Sequence, residues 1–191
     1  MIAKLKDIFN QHTILSPADL YRIASISKLK RIKKGQHLVV SGELNYQVLL
    51  VNSGLLRHYV IDKNGEEKTL LFVQEKGTTG SIETIMKDQP AFENIVALEN
   101  SLVIAFDNRK AEKFALESKG LLKLQNKNLK IALSEAVERL RRHIIHTPEE
   151  RYLLFCKNHP KLEQRVKQKH LASYLGITPT SLSRIRSRDV K

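Results

Sequence analysis

The sequence predicts an α+β protein made of an antiparallel β-roll, a long helix and a helix-turn-helix domain, in that order. Three observations predict it. Short β-forming runs separated by turn residues fill 29–106, an apolar stripe at helical spacing follows, and 168–187 have the spacing of two helices joined by a tight turn. We place the roll at 1–115, the long helix at 116–146 and the helix-turn-helix domain at 147–191.

Composition narrows the class of protein further. Hydrophobic residues make up 41% of the 191 residues, enough for a packed core. No apolar run approaches the ~18 residues that a membrane span needs, and the first residues lack the apolar core of a signal peptide. The single cysteine, Cys156, excludes an intramolecular disulfide and an all-cysteine metal cluster within one chain. We therefore expect a cytoplasmic protein with no membrane partner.

Positive charge is concentrated at the C-terminal end of the chain. The formal net charge is +13, and residues 139–191 hold 13 Lys or Arg against four Asp or Glu. A charge run alone usually marks a solvated surface, but this density favours a polyanionic partner, with nucleic acid ahead of a membrane surface.

Turn residues organise the predicted roll. Gly35, Gly42 and Gly54 each break a β-forming run, and Asn64-Gly65 between two further runs predicts a hairpin with a type I′ turn. Before the roll, Ser16 and Pro17 predict the capped start of a short helix. Many short strands without an intervening long helix predict an antiparallel roll, sandwich or barrel.

The long helix carries an apolar stripe. The helical pattern runs from about Asn108 to His146, and its stripe comprises Leu122, Leu129, Leu133, Val137, Leu140 and Ile144. At ~1.5 Å per residue this helix exceeds about 30 Å, too long for a small roll to cover. The stripe either packs on the chain's own domains or pairs with a second subunit. We favour a combination in which the uncovered part forms a dimer.

The C-terminal segment meets the helix-turn-helix requirements. Thr147 and Pro148 begin a helix that ends near Pro160. Beyond it, Ala172 is the small residue at the helix crossing and Gly176 is the turn residue. The inward positions are apolar: Leu171, Leu175, Ile177, Leu182 and Ile185. Thr178 and Pro179 then begin the second helix.

The outward face of the second helix is suited to DNA. Opposite Leu182 and Ile185 lie Thr180, Ser183, Arg184 and Ser187, with no acidic residue among them. Arginine binds guanine through a two-pronged hydrogen bond, and hydroxyls bind base edges or phosphates. We therefore predict base contacts from Thr180, Ser183 and Arg184. The predicted phosphate contacts are Lys167, Gln168, Lys169, Thr178, Arg186, Ser187 and Arg188.

These features together resemble the CRP/FNR family of bacterial transcription regulators. The resemblance covers nearly the whole chain and is most specific in RVKQKHLASYLGITPTSLSRIRSR. It implies a homodimer joined along the long helix, a recognition helix in the major groove and a palindromic DNA site. It also implies RNA polymerase as a partner. Arg184 matches the family's base-reading arginine, Thr180 stands at a second base-reading position, and Pro179 replaces a polar reader found in many members.

The cyclic-nucleotide cassette of that family is degenerate here. The matching stretch, 77–99, keeps Gly80 but has Ser81 in place of the acid, and no arginine occurs between His58 and Asn108. Lysine lacks the planar fork that clamps a phosphate. We therefore predict no cofactor and no cyclic AMP gating. A candidate pocket for an unidentified small-molecule effector comprises Gly80, Ser81, Glu83, Glu93 and Asn94.

Two alternatives belong to other classes of protein. A cupin-like metalloenzyme needs converging histidines inside the roll, yet 29–106 hold only His37 and His58. A cyclic-nucleotide-binding-like signalling module would have a degenerate helical tail, which the intact helix-turn-helix pattern opposes. We predict no catalytic residue, no metal site and no enzyme activity. Because the sequence ends at Lys191, we also expect no C-terminal β-hairpin wing.

Overall fold

The computed structural model describes residues 15–189, and every structural statement below concerns that part of the chain. Its strands are β1 (Ser27–Ile32), β2 (His37–Val39), β3 (Gln47–Ser53), β4 (Leu56–Ile61), β5 (Glu67–Val73), β6 (Thr78–Thr79), β7 (Asn94–Ala97) and β8 (Ser101–Asp107). Its helices are α1 (Pro17–Ile26), α2 (Ile82–Lys87), α3 (Asn108–Glu117), α4 (Lys119–Ile145), α5 (Pro148–Asn158), α6 (Leu162–Arg165), α7 (Gln168–Leu175) and α8 (Pro179–Asp189). The predicted α+β class is confirmed.

The strands form two four-stranded sheets. One has the order β1-β8-β3-β6 and the other β2-β7-β4-β5. The β1–β8 pair is antiparallel and in register from Ser27–Phe106 to Ile32–Ser101. Because most neighbours in the sheets are distant in sequence, the strands form the predicted antiparallel roll and not a simple meander.

The chain divides into two compact units, which are described separately. Among the described residues, the first unit comprises 15–58 and 72–130, and the second comprises 59–71 and 131–189. The hairpin tip between β4 and β5 therefore belongs with the second half of α4 and the C-terminal helices.

The core of the first unit lies between a sheet and three helices. Leu50 on β3 and Ile104 on β8 are fully buried and pack with Leu20 and Ile23 of α1. Leu121 and Leu124 from the start of α4 complete the same cluster. The predicted cap of α1 is confirmed, because Ser16 Oγ accepts a hydrogen bond from Asp19 N and the Asp19 carboxylate accepts one from Ser16 N.

The long helical segment is interrupted, which the apolar pattern did not predict. Ser118 has an extended backbone, with φ −136° and ψ 116°, and separates α3 from α4. Its Oγ accepts a hydrogen bond from Leu121 N at 3.3 Å, so the serine caps the first turn of α4. The spacing of apolar residues does not reveal such a break, because both helices keep an apolar face.

The predicted type I′ turn at Asn64-Gly65 is wrong. Gly65 has φ 79°, but positive φ outside glycine occurs in the described residues only at Lys76 and Asp88. Gly65 N donates to Asp62 O, and the Asp62 carboxylate accepts hydrogen bonds from Asn64 N and Glu66 N. Asp62 thereby stabilises a wider turn that needs only one left-handed residue.

The hairpin is hydrogen-bonded to helices of the second unit. Thr69 N donates to Ser173 Oγ at 2.8 Å, and this hydroxyl donates to Glu67 O at 3.3 Å. Arg139 Nη1 donates to Leu70 O at 2.7 Å. The backbone edge of β5 is therefore satisfied by side chains from α4 and α7 rather than by another strand.

We expect Leu182→Ala to destabilise the second unit by about 2–5 kcal/mol, because Leu182 is fully buried and its removal leaves a cavity. Leu153→Ala is the matched control, since Leu153 is 47% exposed. Urea denaturation followed by helical circular dichroism would measure the difference. Equal losses in the two variants would contradict the packing described here.

Candidate nucleic-acid interface

A tight left-handed turn joins the two helices of the helix-turn-helix. Gly176 ends α7 with φ 69°, a conformation that glycine adopts without a steric penalty. Ile177 N then donates to Ala172 O at 3.0 Å, which satisfies a terminal carbonyl of α7. A side chain at position 176 would be strained whatever the surrounding space.

The inward residues of both helices form one small core. Leu171, Ala172 and Leu182 are fully buried, and Leu175 and Ile185 are nearly so. The predicted inward position Ile177 is only half-buried. Since one face of α8 is fixed against α7, the opposite face is held towards solvent.

Three hydrogen bonds fix the start of α8. Thr178 Oγ1 accepts from Ser181 N at 3.1 Å, as predicted for the N-cap, and it is also bonded to Ser181 Oγ. Gln168 Nε2 at the start of α7 donates to Pro179 O at 3.1 Å. Two predicted phosphate contacts, Thr178 and Gln168, therefore also have structural roles.

The remaining predicted DNA contacts fall into two groups. Thr180, Ser183, Arg184, Ser187 and Arg188 are exposed on α8, and Lys167 and Lys169 are exposed at the start of α7. Arg186 differs, because it is half-buried and its Nη2 donates to Glu163 Oε1 at 2.9 Å. Sequence periodicity missed Glu163, which lies on the four-residue helix α6 and has no pattern that marks it.

Arg151 joins the ends of two helices beneath the turn. Its Nη1 donates to His146 O just after α4, and its Nε donates to Leu175 O at the end of α7. A cation at a helix C-terminus is favoured by the helix dipole. Burial, followed by the nearby Arg151 and Arg139, lowers the pKa of His143, so the neutral imidazole is favoured at this junction.

The apolar stripe of the long helix is exposed. The accessible fractions are 44% for Leu122, 44% for Leu129, 66% for Leu133, 45% for Val137, 62% for Leu140 and 73% for Ile144. The residues of α4 buried in the first unit, Leu121 and Leu124, lie outside the predicted stripe. One helix therefore has a covered apolar face and an uncovered one.

The candidate effector pocket lies in the first unit and holds two acids. Ser81 is fully buried at the N-cap of α2, and Asn94 Oδ1 accepts from Ser41 N. Glu93 is buried beside Glu83, whose Oε2 is buried without a hydrogen-bond partner among the described residues. A Cβ at Gly80 would lie 2.6 Å from Ile85 Cδ1, so backbone and side chains are closely packed there.

The two acids of the candidate pocket lie near buried polar side chains on neighbouring strands. His58 Nδ1 lies 3.9 Å from Glu93 Oε1, and His58 Nε2 is hydrogen-bonded to Thr79 Oγ1 at 2.6 Å. Burial, followed by the neighbouring Glu83, raises the pKa of Glu93 to about 7. Within residues 15–189, no three His, Cys, Asp or Glu side chains converge as a metal site would require.

Comparison with known proteins identifies the architecture. Residues 29–118 match the family described as the cyclic nucleotide-binding domain. FixK2 from Bradyrhizobium japonicum is 16% identical, with 85% of this chain and 84% of that chain covered and a TM-score of 0.75. A putative transcriptional regulator of the CRP/FNR family from Eubacterium rectale is 20% identical over 92% and 84% of the two chains, with a TM-score of 0.73. This chain has the CRP/FNR regulator fold.

A third CRP/FNR-type structure extends over a similar part of the chain. It is the c-di-GMP-responsive global regulator CLP from Xanthomonas campestris, which is 12% identical over 91% of each chain, with a TM-score of 0.74. The curated proteins give no match. No helix within residues 15–189 has the length and apolar character that crossing a membrane requires.

We expect the stability of the roll to fall as pH rises through about 7. The pKa of Glu93 is raised above its ordinary 4.5, so the folded state retains a proton that the unfolded state releases. The stabilising contribution is complete below pH 4.5 and is lost above about pH 7, with a change of up to about 3 kcal/mol. Urea denaturation between these limits would measure it.

Glu93→Gln is the decisive variant for this expectation, because it keeps a neutral side chain of the same size at every pH. Its free energy of unfolding should lose the wild-type decline between pH 4.5 and about 7 that belongs to this carboxyl. Glu43→Gln, at an exposed position, serves as the control and should keep the decline. Parallel curves for all three proteins would exclude Glu93 as the titrating group.

Proposed function

We propose that this protein is a sequence-specific DNA-binding transcription regulator that acts as a homodimer in the cytoplasm. The observation that carries the proposal is the exposed face of α8, which displays Thr180, Ser183 and Arg184 while Leu182 and Ile185 hold the helix in place. The CRP/FNR-type fold supports this assignment, and RNA polymerase is the protein partner that such a regulator would contact. No catalytic activity is proposed.

Base recognition would come from the middle of α8. Arg184 can donate two parallel hydrogen bonds to guanine O6 and N7 in the major groove. Thr180 presents a short hydroxyl one turn before Arg184, and Ser183 presents another next to it in the sequence. Lys167 and Lys169 at the start of α7, and Ser187 and Arg188 at the end of α8, would bind flanking phosphates and fix the register of the helix.

A second copy of this chain would cover the apolar stripe of α4. Between Leu122 and Ile144 each stripe residue is at least 44% exposed, and the spacing of three, four and seven residues suits helix-to-helix packing. A two-fold axis along this helix would pair two recognition helices. The DNA site would then be a palindrome with half-sites about 34–36 Å apart, one turn of the duplex.

We propose that cyclic AMP does not gate the roll, which has either a different effector or none. A cyclic phosphate needs a cation, yet the candidate pocket holds two acids, the buried Glu93 and the half-buried Glu83. A bound anion there would meet carboxylates rather than a guanidinium fork. If the roll has an effector, its chemistry is neutral or cationic at this position.

Selection of bound duplexes from a random library, read by sequencing, tests the proposal. Enrichment of one palindrome with half-sites a helical turn apart is the expected result. Enrichment of no sequence, with binding that depends only on salt, would refute sequence-specific regulation and favour a signalling module that does not read DNA. Addition of cyclic AMP is expected to leave the enriched sequence and its affinity unchanged.

Arg184→Ala should weaken binding to the selected palindrome by about 1–3 kcal/mol and leave binding to random duplex nearly unchanged, since the lost contact is to a base. Lys169→Ala should weaken both and lower the salt dependence of log K by about one ion per site. Fluorescence anisotropy across a salt series measures both effects. An equal loss on both duplexes would show that Arg184 contacts only phosphate.

Leu140→Lys should convert the dimer into monomers at micromolar concentrations, because a charge would be buried against the partner helix at considerable desolvation cost. Leu153→Lys is the matched control: Leu153 is also an exposed leucine, on α5 outside the stripe. Sedimentation equilibrium of the wild type and the two variants measures whether each protein is a dimer or a monomer. A wild-type monomer, or an unchanged dimer in the Leu140 variant, would rule out this interface.

A further inference from the structure

Glu163 joins three helices of the helix-turn-helix domain through one oxygen. Its Oε1 accepts a hydrogen bond from Tyr152 Oη on α5 at 2.7 Å and another from Arg186 Nη2 on α8 at 2.9 Å. Tyr152 is buried, and the Glu163 and Arg186 side chains are about one-third exposed or less. A carboxylate that accepts from both a phenol and a guanidinium forms two charge-assisted hydrogen bonds in a partly dry place.

The three arginines at the end of α8 differ in environment. Arg184 and Arg188 are exposed, whereas Arg186 is half-buried. Its guanidinium carbon lies 5.9 Å from the centre of the Tyr152 ring, and its Nε is a buried atom without a hydrogen-bond partner among the described residues. The charge of Arg186 is therefore directed into the domain and neutralised by Glu163.

The surroundings of Glu163 favour a persistent contact. Burial, followed by the hydrogen bond to Glu163, raises the pKa of Tyr152, so the phenol remains a donor at neutral pH. Burial also raises the pKa of the neighbouring Cys156 thiol, which keeps that side chain neutral. Within this cluster Glu163 and Arg186 are thus an isolated pair of opposite charges.

The hydrogen bond at position 186 fixes the rotation of α8 about its own axis, which the packed core alone leaves adjustable. Leu182 and Ile185 hold α8 against α7, but an apolar contact tolerates a small rotation about the helix axis. A side-chain tip about 6 Å from that axis moves by about 2 Å for a rotation of about 20°. Such a shift exceeds the range of a base-edge hydrogen bond. The hydrogen bond from Arg186 to Glu163 opposes this rotation.

We propose that Glu163 is a positioning residue for base recognition: it anchors Arg186, so that α8 presents Thr180, Ser183 and Arg184 to the bases. In this assignment Arg186 makes no phosphate contact, in contrast to the sequence prediction. The inference rests on the proposed DNA-binding function. Glu163 would thus contribute to sequence specificity without contacting DNA itself.

The experiment compares the affinity for the selected palindrome with that for random duplex in a salt series. Glu163→Gln and Tyr152→Phe should each lower the preference for the palindrome about three- to tenfold, with binding to random duplex unchanged. Arg186→Gln should lower the preference equally and leave the salt dependence as in the wild type. Glu149→Gln, a change at an exposed carboxylate on α5, is the control and should change neither.

Rescue separates positioning from simple structural support. The double variant Glu163→Arg with Arg186→Glu restores an ion pair of opposite polarity, so it should recover most of the lost preference. Thermal melting by circular dichroism identifies any variant that fails to fold, and the milder Tyr152→Phe change then provides the measurement.

Three results would overturn the inference. One is an Arg186→Gln salt dependence reduced by about one ion, as expected for a phosphate contact. Another is an equal loss on both duplexes in folded Glu163→Gln. The third is a charge-swapped protein no better than either single variant. A wild-type protein that prefers no palindrome would instead refute the proposed function, so the two failures are distinguishable.

Discussion

The left-handed backbone at Gly176 is the constraint on which the C-terminal domain depends. It directs α8 across α7 at an angle that brings Leu182 onto Leu171 and Ala172, and these three side chains exclude water completely. Any other residue at this position would adopt φ 69° at a steric cost. The turn thus sets which face of α8 packs on α7, and the hydrogen bond from Arg186 to Glu163 then limits rotation of the helix about its own axis.

A second constraint operates in the roll, where the buried Glu93 lies beside the half-buried Glu83. Glu93 and Glu83 lie side by side, and His58 approaches from β4 and is bonded to Thr79 on β6. Burial of Glu93, followed by its hydrogen bond with Glu83, raises the pKa of Glu93 to about 7. The cluster makes the stability of the roll sensitive to pH between about 4.5 and 7.

Local signals explain how much could be predicted from the sequence. Helix caps at Ser16 and Thr147 and the turn at Gly176 act within four residues, so their patterns are visible and were confirmed. The break at Ser118 and the wider turn at Gly65 also involve local hydrogen bonds, but they compete with an equally plausible continuous helix and a type I′ turn. Sequence alone does not rank such alternatives.

Contacts between residues far apart in the sequence could not be predicted from the spacing of apolar and capping residues. Glu163 and Arg186 are 23 residues apart, and nothing in the spacing of either one indicates the other. Glu93 is hydrogen-bonded to Glu83 on α2, ten residues earlier, and the hydrogen bonds between Ser173 and β5 span more than 100 residues. These contacts arise from the packing of the whole chain.

The contacts of individual side chains also change how the positive charge of residues 139–191 is interpreted. Residues 139–191 hold 13 Lys or Arg, a number that by itself suggests a uniformly basic surface. Several of these cations are used internally: Arg139 binds the backbone of β5, Arg151 binds two helix ends, and Arg186 binds Glu163.

The exposed cations form a smaller set on the two helices of the motif. They are Lys167, Lys169, Arg184 and Arg188. Counterion release in the proposed DNA complex follows the number of phosphates that are neutralised, so its salt dependence should reflect Lys167, Lys169 and Arg188 and not the formal charge. A substitution that releases an internal cation would therefore change the proposed DNA binding mainly by altering the geometry of the domain.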